Sequence, residues 1–159
     1  FESLQLDVSL FIAAGLQCYF TSMASMLEME TNHPHTSDLC PVCGSLAVAG
    51  YLTQNTGQRY LQCSMCATEW HYPRVLCVHC NTSKDLNYKT IEGQKPEIKT
   101  EVCSHCSSYI KLMNLDINTE LDAVADDLNS FFIDFELSGE GYFKNSINYF
   151  LIPVEKVES

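Results

Sequence analysis

Eight of the nine cysteines in this 159-residue chain stand in four Cys-x-x-Cys pairs, Cys40/Cys43, Cys63/Cys66, Cys77/Cys80 and Cys103/Cys106. The gaps between successive pairs are 19, 10 and 22 residues, so one pattern occurs twice with a period of about forty residues. Two thiolates three positions apart reach one ion from a single tight turn, and a second such turn completes a tetrahedron. The stretches inside each copy suit β-hairpins. Leu46 to Thr53 and Arg59 to Gln62 flank Asn55-Thr56-Gly57, while Leu86 to Thr90 and Ile98 to Val102 flank a segment containing Gly93 and Pro96.

Knuckle, hairpin, knuckle is the build of a rubredoxin-like or zinc-ribbon module, and the chain carries two in tandem. Each is expected to hold one ion, zinc or iron, with Cys40, Cys43, Cys63 and Cys66 at the first site and Cys77, Cys80, Cys103 and Cys106 at the second. Sequential pairing is preferred over nested or crossed pairing because each copy has its own hairpin. Disulfides are disfavoured: bridged Cys-x-x-Cys partners close loops too short to restrain the chain, and no export signal is visible. His79 and His105 lie inside two of the pairs and are not needed as ligands once four thiolates are present. His33, His35 and Asp38 read as linker residues, His71 as a strand residue, and Cys18 as an ordinary thiol.

Charge divides the chain into three. Residues 1–39 carry five acids and no base, 40–111 five acids and seven bases, and 112–159 ten acids and two bases, for a net charge of -11. Such a surface is a poor match for phosphate. Two divalent ions in four-thiolate sites, each about -2, would also turn the +2 cysteine region negative, so nucleic acid is not an expected partner.

Val8 to Leu27 lacks any charged residue, a length that could span a bilayer. No basic residue precedes Arg59, however, and a membrane segment needs basic flanks on one side. The segment also reads as two-faced at helical period. Val8, Ile12, Leu16, Tyr19, Met23, Met26 and Leu27 lie on one side and Gln17, Thr21, Ser25 and Glu28 on the other. A packed amphipathic helix is expected, not a membrane element; an uncovered apolar stripe would mark where another domain or a partner sits. A second helix is expected over Leu121 to Leu137, with Leu121, Val124, Leu128, Phe131, Phe132 and Phe135 inward. Asp122, Asp126, Asp127, Asp134 and Glu136 would then form its solvated face. No constellation of catalytic residues emerges. The expected fold is α+β: two tandem ribbon modules flanked by amphipathic helices. The divisions are 1–36 (helix and linker), 37–72 (first module), 73–112 (second module) and 113–159 (acidic helix and tail).

The motif string resembles the formate dehydrogenase accessory protein family, FdhE. Cys40-Pro41-Val42-Cys43-Gly44-Ser45 and the run from Arg59 through Cys63-Ser64-Met65-Cys66 to Trp70 carry the resemblance. It continues through Arg74-Val75-Leu76-Cys77, Glu101-Val102-Cys103, Tyr109-Ile110-Lys111, Ala125-Asp126-Asp127-Leu128, Gly141-Tyr142 and Ile147-Asn148. Ala13-Ala14-Gly15-Leu16-Gln17 is similar to the segment before the family's first knuckle. Two departures stand out: family members are roughly twice this length, with a helical N-terminal region absent here, and Asn148-Tyr149-Phe150 replaces an expected Asn-Pro.

The resemblance implies a cytoplasmic, non-enzymatic maturation factor required for active respiratory formate dehydrogenase, binding the catalytic subunit before export. An iron-dependent electron-transfer or redox-sensing protein is the alternative, and a nucleic-acid-binding ribbon a weaker one. Trp70, His71 and Tyr72, bordered by Arg74, fall between the modules, where Tyr72 and Arg74 are expected to line a partner contact unless the aromatic run is simply core.

Overall fold

The computed structural model describes residues 2–27, 34–146 and 148. The expected tandem repeat is present. In the first copy β1 (Ala47–Leu52), β2 (Arg59–Cys63) and β3 (Glu69–His71) form an antiparallel meander. In the second, β4 (Leu86–Lys89), β5 (Ile98–Cys103) and β6 (Ser108–Asn114) do the same.

The two meanders are not separate beads. β1 runs parallel to β6, with Gly50 opposite Leu112 and Leu52 opposite Asn114, giving one sheet in the order β3-β2-β1-β6-β5-β4. A two-residue strand, β7 (Phe143–Lys144), pairs with the start of β6. Every residue of β6 is buried, which fits a strand flanked on both edges. The join depends on Gly50. A Cβ there would lie 2.6 Å from the Tyr60 carbonyl oxygen and 2.9 Å from Leu112 Cδ2. Gly50→Ala is therefore expected to lower stability by roughly 1–3 kcal/mol through overpacking, read as a lowered denaturation midpoint with metal content unchanged.

Two apolar clusters lie against the sheet. One gathers Leu52, Leu61, Trp70, Tyr72 and Leu112 with Cys40, Cys63 and Cys66. The other gathers Val48, Ile98, Val102 and Met113 with Ile133 and Leu137 from the C-terminal helices. Trp70 is thus core.

The first helix, α1 (Glu2–Ser25), forms as expected, but its packing face is different. Gln17, Phe20 and Ala24, one helical stripe, face the first module: Gln17 Nε2 donates to the Ser64 carbonyl at 2.9 Å, and Phe20 and Ala24 pack on the first cluster. The expected inward residues Val8, Ile12, Leu16, Tyr19 and Met23 are exposed. No helix among the described residues is long and apolar enough to cross a membrane.

The C-terminal region departs more sharply from expectation. Instead of one helix, α2 (Ala123–Asn129) and α3 (Phe131–Gly139) meet at Ser130. Lys111 of β6 explains the break. Its Nζ donates to the carbonyls of Asp127 and Ser130, acceptors that a continuous helix would use itself, and ion-pairs with Asp127 and Asp134. The rotation leaves Phe131 and Phe135 59% and 77% exposed and puts Ala123, Asp127, Ile133 and Leu137 inside. Asp127, expected on a solvated face, is fully buried between Lys111 and Lys144, with Asn148 Nδ2 donating to it. Tyr109 adds a hydroxyl bond to Asp134 at 2.8 Å.

Candidate metal centres

Each Cys-x-x-Cys pair occupies a knuckle of one design. The residue after the second cysteine takes a positive φ: Gly44 at 75°, Ala67 at 56°, Asn81 at 55° and Ser107 at 57°. The first cysteine's N–H donates to the carbonyl five residues on, as in Cys40 to Ser45, Cys63 to Thr68 and Cys77 to Thr82, each at 2.8–2.9 Å. This folds the chain back tightly enough to aim both thiols at one point. Gly44 and, more weakly, Asn81 announce the left-handed turn in the sequence; Ala67 and Ser107 do not.

The sheet then brings the knuckles together in sequential pairs. Cys40, Cys43, Cys63 and Cys66 form one cluster and Cys77, Cys80, Cys103 and Cys106 the other, with all four sulfurs of each within 4.8 Å of one another. Sulfur separations across the knuckles are 3.6 Å for Cys40–Cys66, 3.3 Å for Cys43–Cys63, 3.7 Å for Cys77–Cys106 and 3.8 Å for Cys80–Cys103. Four sulfurs at about 2.3 Å from a tetrahedral ion lie about 3.8 Å apart, so the cages are the right size. All eight thiols are free, and the four separations are well beyond the about 2.05 Å of a disulfide.

The thiols of each cluster do not ionise alike. In the first, the Cys63 thiol donates to Cys40 and lowers it to about 4 against the effect of burial. Cys63 is correspondingly pushed up, and burial raises Cys66. In the second, burial pushes Cys80 up to about 12 and also raises Cys103. At Cys106 burial acts upward too, but hydrogen bonds from Ser108, Cys80 and Cys103 together outweigh it and the thiol is lowered. Each cluster thus has one thiol lowered from its ordinary value, Cys40 or Cys106, beside two that are raised and hold their protons more tightly against an incoming cation.

Thr68 and Ser108 were not singled out from the sequence, yet they bear on the sulfurs directly. Thr68 Oγ1 lies 3.0 Å from Cys66 Sγ, and Ser108 Oγ lies 3.0 Å from Cys106 Sγ and 3.6 Å from Cys77 Sγ. The signal was available: Ser or Thr stands five residues after the first cysteine of all four pairs, at Ser45, Thr68, Thr82 and Ser108. A hydroxyl donating to a metal-bound thiolate stabilises its charge. Ser108→Ala is therefore expected to weaken the second site by about tenfold or more and spare the first, as read by competition with a chromogenic chelator.

The remaining expected residues divide clearly. Tyr72 is not a surface side chain. It is 0% exposed, and its hydroxyl, with one proton to give, lies within hydrogen-bond reach of two acceptors, the Cys77 carbonyl at 3.0 Å and Asn81 Oδ1 at 2.5 Å, so it braces the second module's first knuckle from inside. Arg74 is exposed, with Nη1 donating to the Gly57 carbonyl at 3.3 Å. His79 and His105 are exposed, and His79 packs edge-on against Phe143. His71 ends β3, and His35 Nδ1 accepts from the Ser37 N–H. His33 lies outside the described residues. Cys18 is exposed on α1.

Comparison with known proteins agrees with this architecture along the chain. Residues 39–74 match the family profile described as FdhE, central domain, and residues 75–151 that described as FdhE, C-terminal domain. A protein FdhE homolog from Pectobacterium carotovorum is 40% identical over 156 residues, covering 96% of this chain and 50% of that protein. Protein FdhE from Salmonella choleraesuis is 38% identical over 159 residues, covering 98% of this chain and 52% of its own length. The crystal structure of the FdhE protein from Pseudomonas aeruginosa superposes with a TM-score of 0.81 at 39% identity, over 90% of this chain and 52% of that one. The chain spans about half the length of the relatives it matches. On these matches, with both cysteine modules inside the matched region, the chain belongs to the FdhE family.

Proposed function

We propose that this chain is a cytoplasmic, metal-binding maturation chaperone needed to assemble active formate dehydrogenase, and that it binds the enzyme's catalytic subunit without catalysing a reaction itself. The observation that carries the reading is a pair of four-sulfur cages fused into one sheet, in a chain matched by FdhE profiles from residue 39 to residue 151. The eight cysteines are the proposed ligands. A zinc ion would supply a fixed tetrahedral restraint; an iron ion would add one-electron chemistry.

An exposed apolar stripe on α1, from Val8 through Leu16 to Met23, supplies a surface of the kind that partner proteins cover. With Tyr72 buried, we place subunit contact on this stripe, with Arg74 the remaining candidate from the inter-module segment. The test is co-purification of tagged catalytic subunit with Leu16→Glu/Met23→Glu, after metal content and melting are shown to be normal. Loss of capture supports the reading. Undiminished capture moves the contact off α1, and no capture even by the unaltered chain overturns the chaperone assignment.

Cys43, Cys80 and Cys106 are only half-buried, which brings part of each cluster near the surface and favours electron transfer as the second reading. Metal analysis with an absorption spectrum of anaerobically purified protein separates the two. Colourless zinc protein supports a structural role, and reversible bleaching of a sulfur-to-iron band supports the redox role.

A further inference from the structure

An open groove of about 450 Å³ lies between the C-terminal end of α1 and the first thiol cluster. Its walls combine apolar surface from Ala24, Leu27 and Val42 with the phenol of Tyr60, the Cys66 thiol and one carboxylate, Glu69. Among the described residues that line it there is no Lys, Arg or His. The last turn of α1 holds no basic side chain, and its carbonyls at Ser22, Met23 and Ala24 accept from Ser25 Oγ and from the Met26 and Leu27 N–H groups, so no cation of α1 offsets the acid in the groove. A divalent ion in the first cage would add about two further negative charges beside the groove, through Cys66.

The polar side of the groove is braced. Tyr51, Tyr60 and His71 stack across β1, β2 and β3, with ring centroids 5.6 Å and 5.3 Å apart, and the Tyr51 hydroxyl donates to Glu69. Both faces of the Tyr60 ring are thereby covered, so its hydroxyl and edge are what the groove can use. An apolar wall ending at a fixed carboxylate complements a long alkyl stem with a cationic head.

We propose that this groove docks an arginine or lysine side chain from an extended basic segment of a partner protein. Charge complementarity selects the occupant, since an acidic or purely apolar segment would leave the Glu69 carboxylate without a counter-charge. The inference does not require that partner to be formate dehydrogenase, and it is tested without that enzyme.

The experiment is fluorescence anisotropy of the metal-loaded chain with a labelled twelve-residue Gly/Leu peptide carrying two arginines, beside a peptide with glutamates in their place. Three variants are compared after metal content and melting are checked. Glu69→Gln removes the carboxylate, Ser25→Lys puts a cation of the protein's own at the exposed helical rim, and Glu92→Gln removes an acid from the β4–β5 turn outside the groove. Glu69→Gln and Ser25→Lys are expected to weaken the arginine peptide by about fivefold or more, with Glu92→Gln within about twofold. Affinity should also fall as salt is raised. Equal losses from Glu69→Gln and Glu92→Gln would assign binding to overall charge and overturn the proposal. So would unchanged binding by Glu69→Gln, or equal binding of the glutamate peptide.

Discussion

Stripping both metal ions with a strong chelator is expected to abolish the cooperative melting of the sheet and leave a largely unfolded chain. The first apolar cluster is built partly from Cys40, Cys63 and Cys66 themselves, so the ion and the core are one structure. Structural zinc in small modules contributes about 10–16 kcal/mol, comparable with or larger than the about 5–15 kcal/mol that holds a whole domain folded. Single substitutions should divide the effect. Cys40→Ser or Cys66→Ser is expected to reduce metal content from two ions to one, and Cys77→Ser or Cys106→Ser to remove the other. Hydrogen exchange should quicken first in β1 and β2 for the former pair and in β4 and β5 for the latter. Because β1 and β6 share a ladder, loss of the first ion should also weaken protection in β6. A single tightly held ion in the unaltered chain, or a Cys43–Cys103 cross-link, would refute the assignment. The pH dependence has a definite sign. Burial holds protons on Cys66, Cys80 and Cys103, binding must release them, and occupancy should therefore fall as pH falls.

The cysteine spacing was readable because it is a local code: a Cys-x-x-Cys turn is short, and the intervening hairpins carry their own turn residues. The union of two ribbons into one sheet was not readable. It depends on a parallel pairing between residues more than sixty positions apart, hinted at in sequence only by Gly50, because Ser108, Lys111 and Asn114 disguise the full burial of β6. The C-terminal helices show the converse. Helical periodicity places Phe131 and Phe135 inward on hydrophobicity alone, but Lys111 takes the carbonyls of Asp127 and Ser130 and breaks the helix, so its second half turns a different face to the sheet. Asp127 looked like one more surface acid because nothing local reveals two lysines, one on β6 and one on β7, converging on it. On α1 the fault lay in hydrophobicity as the guide: Gln17 faces the module because its amide reaches a knuckle carbonyl, and the richer apolar stripe is left outside.

Arg59→Met is expected to cost about 3–5 kcal/mol, the range for breaking a buried ion pair from one side. Arg59 is 0% exposed and crosses from β2 of the first module to Glu101 on β5 of the second, Nη1 to Oε1 at 2.6 Å. Its other terminal nitrogen donates to the carbonyls of Pro73 and Leu76, and its guanidinium lies 4.9 Å from the Tyr72 ring centre. Burial already raises the Glu101 carboxyl above its ordinary value, with Arg59 opposing that rise. Without Arg59 the carboxyl should rise further. A raised acid stabilises the folded state at low pH and loses that contribution as pH climbs through the folded value, so the defect should be largest at neutral pH and shrink on mild acidification. Arg59→Met/Glu101→Leu should lack this pH response and recover part of the loss. The unrecovered part reflects the carbonyls of Pro73 and Leu76, left without their donor at about 1–3 kcal/mol. Denaturant melts of the metal-loaded variants between about pH 6 and 8 measure both effects, and a pH-independent defect would show that Glu101 is not the group left stranded. Leu76 immediately precedes Cys77, and Tyr72 holds the Cys77 carbonyl from the same side. The Arg59 variant should therefore release the second ion faster while the first is little changed, although Arg59 itself stands on a strand of the first module. Faster loss of the first ion alone would mean that Arg59 supports only its own hairpin and that the two cages are mechanically independent.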